Sequence, residues 1–581
     1  MKVKPIEIWK EYQKGIDYLQ RNNLFEKVKR NEDFYIGDQW NDLQVENMPM
    51  PVINVLQRVV KYLIATLSTN DISISMTPFT TIDEDIEKMH FVEDEIKKIV
   101  ELSKIKEHSR EAIRSAAVDG SCFLFQYFNE KADSGQDVKG RIENMIVDNT
   151  QVIFGNPYSN AVQDQPYIIL ALRQHINQVK NEAEMLGLGK EQIEKIVADN
   201  DQLQANDDSD DLVTVLIKFW KHREKKITER EETDLEGNIK LVKEENEVDE
   251  VYFTKTTKEV ALIEPVNLGY RRYPIACFGW DPIKNSYLYE SPLTYVIPNQ
   301  IFINKCYAIA MQYGQQSAFP KIVYDKNKIN IREFLDNTSP TATANIDMMG
   351  KFMDFIKVPD FSNNILQLVG DIIGQTKECM GVNDAALGSV KPDNTSAIIA
   401  LQEAANTPLE IQHQQYFTMW EDVVRNIIDI VANTYGVRQA MTTDNQLVQI
   451  DFGILKGLNF NLNIDIGNGS QYSEIAQINT MDKLLQTGIV DPKTYIEAIP
   501  SKYILNKGKI IQELTERIEN ENNELNNMIQ QENDLNEILD SKEKDVEIVH
   551  GIGIVLHQNS VIGKGTKIYQ NVTIGNANGP R

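Results

Sequence analysis

The stretch from Met380 to Gly436 constrains this chain most, because its character changes abruptly inside it. Gly381, Asn383, Asp384, Gly388, Pro392, Asp393 and Asn394 crowd a few positions with residues that favour turns and left-handed backbone. From Ser396, a suitable N-cap, the pattern switches. Ile399, Leu401, Ala404, Ile411, Phe417, Trp420, Val424, Ile427, Ile428 and Val431 then recur at helical spacing. Pro408 falls within that run, where its ring and missing N–H predict a bend. A fold for this chain must hold a turn-rich loop at the head of a long kinked helix.

Two helices are expected just upstream. Leu293 to Gln316 is apolar around much of its circumference, with Leu293, Val296, Ile297, Ile301, Ile303, Cys306, Ala308, Ile309 and Met311, so neighbours should cover it on several sides. Phe361 to Cys379 carries Ile365, Leu366, Leu368, Val369, Ile372 and Ile373. Between them, Phe319 to Phe355 breaks into short strands and turns around Pro340 and Gly350. A helical hairpin within a globular core is the plain reading.

The rest of the chain reads as α+β. Ile6 to Tyr35 and Ile86 to Val118 are helical. Phe123 to Phe128, Met145 to Phe154 and Tyr167 to Leu172 are strands, and Val179 to Ala198 is a helical insert before the polar stretch Gln204 to Asp211. Val213, Val215, Ile217 and Phe219 line one face of a strand, and the charged run Arg223 to Glu250 fits an exposed hairpin turning at Glu236-Gly237-Asn238. Val251 to Ile263 brings the chain back in. Val448 to Phe460 is a further β pattern, Ile475 to Thr487 is helical, and Asp491-Pro492 opens another helix. Heptad positions Ile511, Leu514, Ile518, Glu521, Leu525, Met528, Glu532, Leu535 and Leu539 form a leaky coiled-coil seam, because two of them are glutamate.

Composition narrows the function classes. At 581 residues the chain should hold roughly three to four compact units and bury a substantial core. Its net charge is -26 and its pI about 4.8, whereas a protein that binds by neutralising phosphates would be basic. An acidic balance ordinarily gives solubility. It also suits a conduit past which nucleic acid slides without sticking. The charged start, MKVKPIEIWKEYQKGIDYLQ, lacks a signal peptide's apolar core, and no run reaches the roughly 18 apolar residues of a membrane span. Val52 to Leu67 comes nearest, interrupted by Arg58 and Lys61. Cys122, Cys277, Cys306 and Cys379 include no CxxC pair, so buried free thiols are expected rather than a zinc site. GxxxxGK[ST], HExxH and GxSxG are absent, and neither a catalytic residue, a cofactor nor a metal is expected.

Five short signatures point to a family. Phe34-Tyr35-Ile36-Gly37-Asp38-Gln39-Trp40 resembles the aromatic-Gly-Asp-Gln-Trp signature that ends the first helix of many tailed-bacteriophage portal proteins. Pro51-Val52-Ile53-Asn54-Val55-Leu56 follows as that family expects. Asp119-Gly120-Ser121-Cys122-Phe123-Leu124 is similar to its turn into a β-rich wing. Ser291-Pro292-Leu293, with Asn299-Gln300 and Asn304-Lys305, resembles its lead-in to the first channel helix, and the Gly381 loop resembles its channel loop. The resemblance implies an α+β portal-type fold: a wing over 1–284, stem helices at 285–318 and 361–380 flanking a clip at 319–360, and a channel loop at 381–395. It continues with a long wing helix and β segment at 396–470 and a helical crown at 471–545.

The same resemblance implies a non-enzymatic dodecameric ring at one capsid vertex of a virion, assembled in the host cytoplasm, with no membrane. Double-stranded DNA would pass through it during packaging and ejection. Its partners would be the terminase large subunit, which brings the ATPase, head-completion or adaptor proteins, and the major capsid and scaffolding proteins. Gly388, Lys391, Pro392, Asp393 and Asn394 would face DNA in the channel loop. One lysine per chain is a poor DNA site, but a ring repeats it around an axis. Read alone, each of these side chains fits an ordinary turn before a helix equally well.

The C-terminal stretch departs from that pattern. Leu556, Ile562, Ile568 and Ile574 recur every six residues, resembling the left-handed β-helix of hexapeptide-repeat acyltransferases over 546–581. His550-Gly551-Ile552-Gly553-Ile554-Val555 looks like the segment that carries the general-base histidine of serine O-acetyltransferases. Most of that enzyme's repeats are missing, so a relic or a non-catalytic tail is the expectation. An acyltransferase using this tail and a coiled-coil scaffold without a channel are the rival functions.

Overall fold

A computed structural model of the chain describes residues 3–41, 48–68, 71–78, 83–134, 138–199, 211–233, 239–319, 322–325, 330–335, 353–355, 364–382, 407–441, 447–456, 460–467 and 471–499, with short pieces between 504 and 574. It divides into two units, Met1–Ser470 and Gln471–Arg581.

The first unit mixes helices with antiparallel sheets. Strands Val152–Phe154, Tyr167–His175, Leu212–Thr233, Ile239–Thr256 and Ala261–Asn267 form a five-stranded sheet in that order. The two longest pair from Leu216↔Thr256 out to Thr233↔Ile239, so the expected charged hairpin is one continuous ladder. Its turn lies outside the described residues. The first helix, Pro5–Arg21, lays Ile8, Trp9 and Tyr12 on this sheet against Ile153, Ile169 and Leu216. A three-stranded sheet places Ser121–Asn129 between Arg141–Asp148 and Ile275–Gly279. Phe123, Val147 and Phe278 of these strands join one large core with Trp420, Val424 and Ile427 of the long helix Glu410–Thr434.

Several expected elements are divided in two. The helix expected over Ile6 to Tyr35 is Pro5–Arg21 and Leu24–Ile36, broken where Asn23 takes a left-handed φ of 53°. The region Ile86 to Val118 is Asp83–Leu102 and Ile105–Asp119, broken at Lys104 with the same φ. Met145 to Phe154 is two strands in different sheets, because a turn at Asn149 to Gln151 carries the chain across. Val179 to Ala198 is helical only over Ile176–Met185 and Lys190–Glu194. Val448 to Phe460 is a hairpin strand, Leu447–Asp451, then a 3-10 turn. The next strand, Phe460–Gly467, pairs with Asp71–Pro78 from the opposite end of the unit, as in Ile72↔Ile466. Cys122 and Cys306 are buried, but Cys379 is exposed, contrary to the expectation for all four thiols.

The second unit contains helices Gln471–Gln486 and Pro492–Ala498, with Asp491 at the N-cap position. Of the heptad seam, Ile511 and Leu514 are helical, and Ile518 to Leu539 lie outside the described residues. Near the C-terminus Glu547–Ile548 pairs in parallel with Lys567–Ile568, and Val555–Leu556 with Thr573–Ile574. Leu556 thus sits beside Ile574, three hexads along, the spacing a coil of hexapeptide repeats requires. His550 lies outside the described residues.

The turn Asp119-Gly120-Ser121 generates two predictions. Gly120 has φ 96°, and a Cβ there would stand 2.3 Å from the backbone oxygen of Tyr289. Gly120→Ala should therefore cost about 2 kcal/mol or more, visible as a lowered melting temperature. Asp119 Oδ1 is buried without a hydrogen-bond partner. Burial first, then the charges of Glu32 and Asp148, push this carboxyl up to about 8, with Arg114 opposing. A folded-state value above the unfolded one near 3.8 gives stability that is complete below about pH 4 and lost as pH climbs towards 8. Asp119→Asn should melt above the wild type at pH 8 and with it near pH 4.

Candidate functional site: the base of a helical hairpin

The helix Pro292–Ala318 is capped by Ser291, whose hydroxyl accepts from Leu293 N at 3.1 Å and donates to Ala117 O at 2.7 Å. Pro292 occupies the first turn, where its missing N–H is harmless. Two to three turns further in, the amides of Gln300 and Asn304 are buried. Gln300 accepts from Val55 N at 3.1 Å and donates to Ile53 O at 2.7 Å and to Asn304 Oδ1 at 3.0 Å. Asn304 donates to Gln39 Oε1 at 2.6 Å, and Gln39 donates to Phe34 O at 2.8 Å. Alongside, Asn54 donates to Tyr35 O at 2.8 Å and Trp40 Nε1 to Pro51 O at 3.0 Å.

The aromatic-Gly-Asp-Gln-Trp run, the Pro-Val-Ile-Asn run and the Asn299 to Lys305 run therefore meet in one place. Each supplies one side of a closed polar network around the base of a long helix. Such a network holds a single geometry, because every member would be costly to leave unpaired away from water. The Asp119-Gly120-Ser121 turn packs against the same base, with Asn31 donating to Val118 O at 2.9 Å and to Thr294 Oγ1 at 3.2 Å.

The second helix of the hairpin, Asn364–Cys379, lies beside the first, and Asn299 donates to Thr376 Oγ1 at 3.1 Å. It ends in a left-handed turn at Gly381, φ 73°, with Gly381 N donating to Glu378 O at 3.0 Å and Val382 N to Lys377 O at 2.9 Å. A Cβ on Gly381 would sit 3.3 Å from both Pro408 and Leu409. Met380, Val382 and Leu409 are all buried in the main core. The chain on either side of residues 383–406 is thus buried in one place. Gly388, Lys391, Pro392, Asp393 and Asn394, with Ser396, lie outside the described residues. Pro408 stands in a 3-10 turn, Thr407–Leu409, ahead of Glu410–Thr434, so no described helix passes through it.

The long helix is anchored along its length. Asp429 Oδ2 accepts from Arg271 N at 2.7 Å and Arg272 N at 3.0 Å, and the Arg272 guanidinium pairs with Asp422. Asn426 donates to Gln126 Oε1 of the three-stranded sheet at 2.9 Å. Burial raises the Asp422 and Asp429 carboxyls, and their bonds to Arg272 oppose it. Nothing in the sequence marks this clamp, since its members stand about 150 positions apart. Among the described residues no group of three or more His, Cys, Asp or Glu could hold a metal ion, and no helix is long and apolar enough to cross a membrane.

A chain of mixed helices and antiparallel sheet, with a helical hairpin locked at its base, has the α+β portal architecture. Residues 9–542 match the model of the family described as Phage P22-like portal protein. The chain belongs to that family: it is a phage portal protein, a structural head-to-tail connector of DNA packaging. No curated protein matches it. The match ends before the C-terminal parallel strands.

The network carries a direct test. Gln300→Leu removes both bonds to Ile53 and Val55 and leaves Asn304 short of a partner in the core. It should cost about 2–4 kcal/mol, read as a lowered urea midpoint.

Proposed function

We propose that copies of this chain close into a dodecameric ring at one capsid vertex and that double-stranded DNA passes through its centre in packaging and in ejection. The observation that carries the reading is the pinning of Val382 beside Leu409 at the end of the helical hairpin. A channel loop at 381–395 that starts from this buried end can project without loosening the fold that holds it.

In this reading the helices at 285–318 and 361–380 are the stem and 381–395 is the channel loop. The loop presents Gly388, Lys391, Pro392, Asp393 and Asn394 to the duplex. Ring symmetry turns one Lys391 per chain into a circle of charge, and the net charge of -26 keeps the rest of the wall from holding DNA. Residues 319–360 form the clip on which the terminase large subunit and head-completion or adaptor proteins dock. The wing, 1–284, meets the major capsid and scaffolding proteins, with 396–470 behind the loop and the crown at 471–545. Assembly takes place in the host cytoplasm and the product resides in the virion. The chain supplies no chemistry of its own. The pairing of Leu556 with Ile574, three hexads along, supports a hexapeptide-repeat tail. Acetyl transfer from acetyl-CoA, abolished by His550→Ala, is the result that would make that tail an enzyme.

Electron microscopy of the purified protein should show rings with a central hole. Rods, or a compact monomer at every concentration, would end this reading. Within assembled rings, Lys391→Glu should leave the ring intact and lower packaged DNA at least tenfold.

A further inference from the structure

The outer faces of the two hairpin helices do not look like faces meant for water. On Pro292–Ala318, Tyr295, Phe302 and Ile309 follow one another at seven-residue intervals, on the side away from buried Gln300 and Asn304. They are 69%, 39% and 45% exposed. Steps of seven keep side chains on nearly one line of a helix, so the three form an apolar ridge roughly 20 Å long.

The neighbouring helix carries the opposite relief. Along Asn364–Cys379, Leu366, Gly370 and Gly374 succeed one another at intervals of four, and Leu366 is 47% exposed. A Cβ on Gly370 or Gly374 would meet nothing within 4 Å. Glycine is the poorest helix former after proline, and in these two places no internal contact asks for it. Two glycines one turn apart, facing open space on a helix, make a shallow groove that suits close approach by something outside the subunit. The polar residues agree in sign: exposed Lys305 stands between Phe302 and Ile309 on the ridge, and exposed Asp371 stands beside the groove.

We propose that the ridge of Tyr295, Phe302 and Ile309 in one subunit packs into the Gly370–Gly374 groove of the next copy of this chain. This rests on the ring reading above. Portal proteins form homo-oligomeric rings, and a ring needs two different, mutually complementary faces on each protomer. A ridge on one helix and a groove on its partner meet that requirement with one hairpin. The partner is therefore a second copy rather than DNA, for which an apolar ridge has no use.

The test uses the full chain. Gly370→Leu/Gly374→Leu fills the groove without touching anything within the subunit. We expect it to keep the far-UV circular dichroism of the wild type and a monomer melting temperature no lower. Its ring fraction in sedimentation should fall at least tenfold. Independently, the thiol of Phe302→Cys should react with a maleimide quickly in monomers and at least tenfold more slowly in rings. Rings formed by the leucine variant at wild-type concentration, or an equally reactive Cys thiol at position 302 in monomer and ring, would overturn the seam. So would a leucine variant that loses its helical signal, since that contradicts the open space on which the groove rests. Absence of rings in the wild type would instead bring down the ring reading itself, and the seam with it.

Discussion

The rest of the structure depends on one buried polar joint. Gln300 and Asn304 place two amides inside a core where each unpaired group would be penalised. Their bonds to Ile53, Val55 and Gln39 remove that penalty in only one arrangement. An apolar contact in the same place would tolerate sliding of one helix along another. A network of directed bonds does not, so the long helix leaves its base at a fixed position and angle. Everything beyond it, the hairpin partner and the loop roots included, inherits that placement.

The long helix Glu410–Thr434 is held in a complementary way. Its apolar side, with Trp420, Val424 and Ile427, enters the main core, and its polar positions Asp422, Asn426 and Asp429 grip the segment Arg271 to Arg272 and the strand carrying Gln126. Apolar burial supplies affinity between the layers, while the ionic and amide contacts fix which turn of the helix faces which strand. Val382 and Leu409, which flank residues 383–406, are buried in the same core as both the hairpin and the long helix.

A chain whose carboxylates outnumber its basic groups by 26 cannot bind phosphates by charge over its whole surface. The C-terminal strands lie beyond the family match and pair in parallel, one pair three hexads apart, as in Leu556↔Ile574, and the other 20 residues apart, as in Ile548↔Ile568.

The sequence by itself determined the local elements whose period or punctuation is strong. The helix at Pro292–Ala318, the strand pair around Val213 to Thr256 and the turn at Gly381 were all legible, because helical spacing, alternation and positive-φ glycine are local signals. It also announced the short signatures, though not their reason. Only the tertiary structure revealed that the runs carrying Gln39, Asn54 and Gln300 meet, with Gln300 bonded to Ile53, Val55 and Asn304, and Asn304 to Gln39. Breaks at Asn23 and Lys104, the pairing of Ile72 with Ile466 and the Arg272 clamp were likewise decided by packing, since each depends on partners far off in the chain. Periodicity reports which face of an element is apolar. It carries no information about which distant face will cover it, and that choice made the joint on which this protein is built.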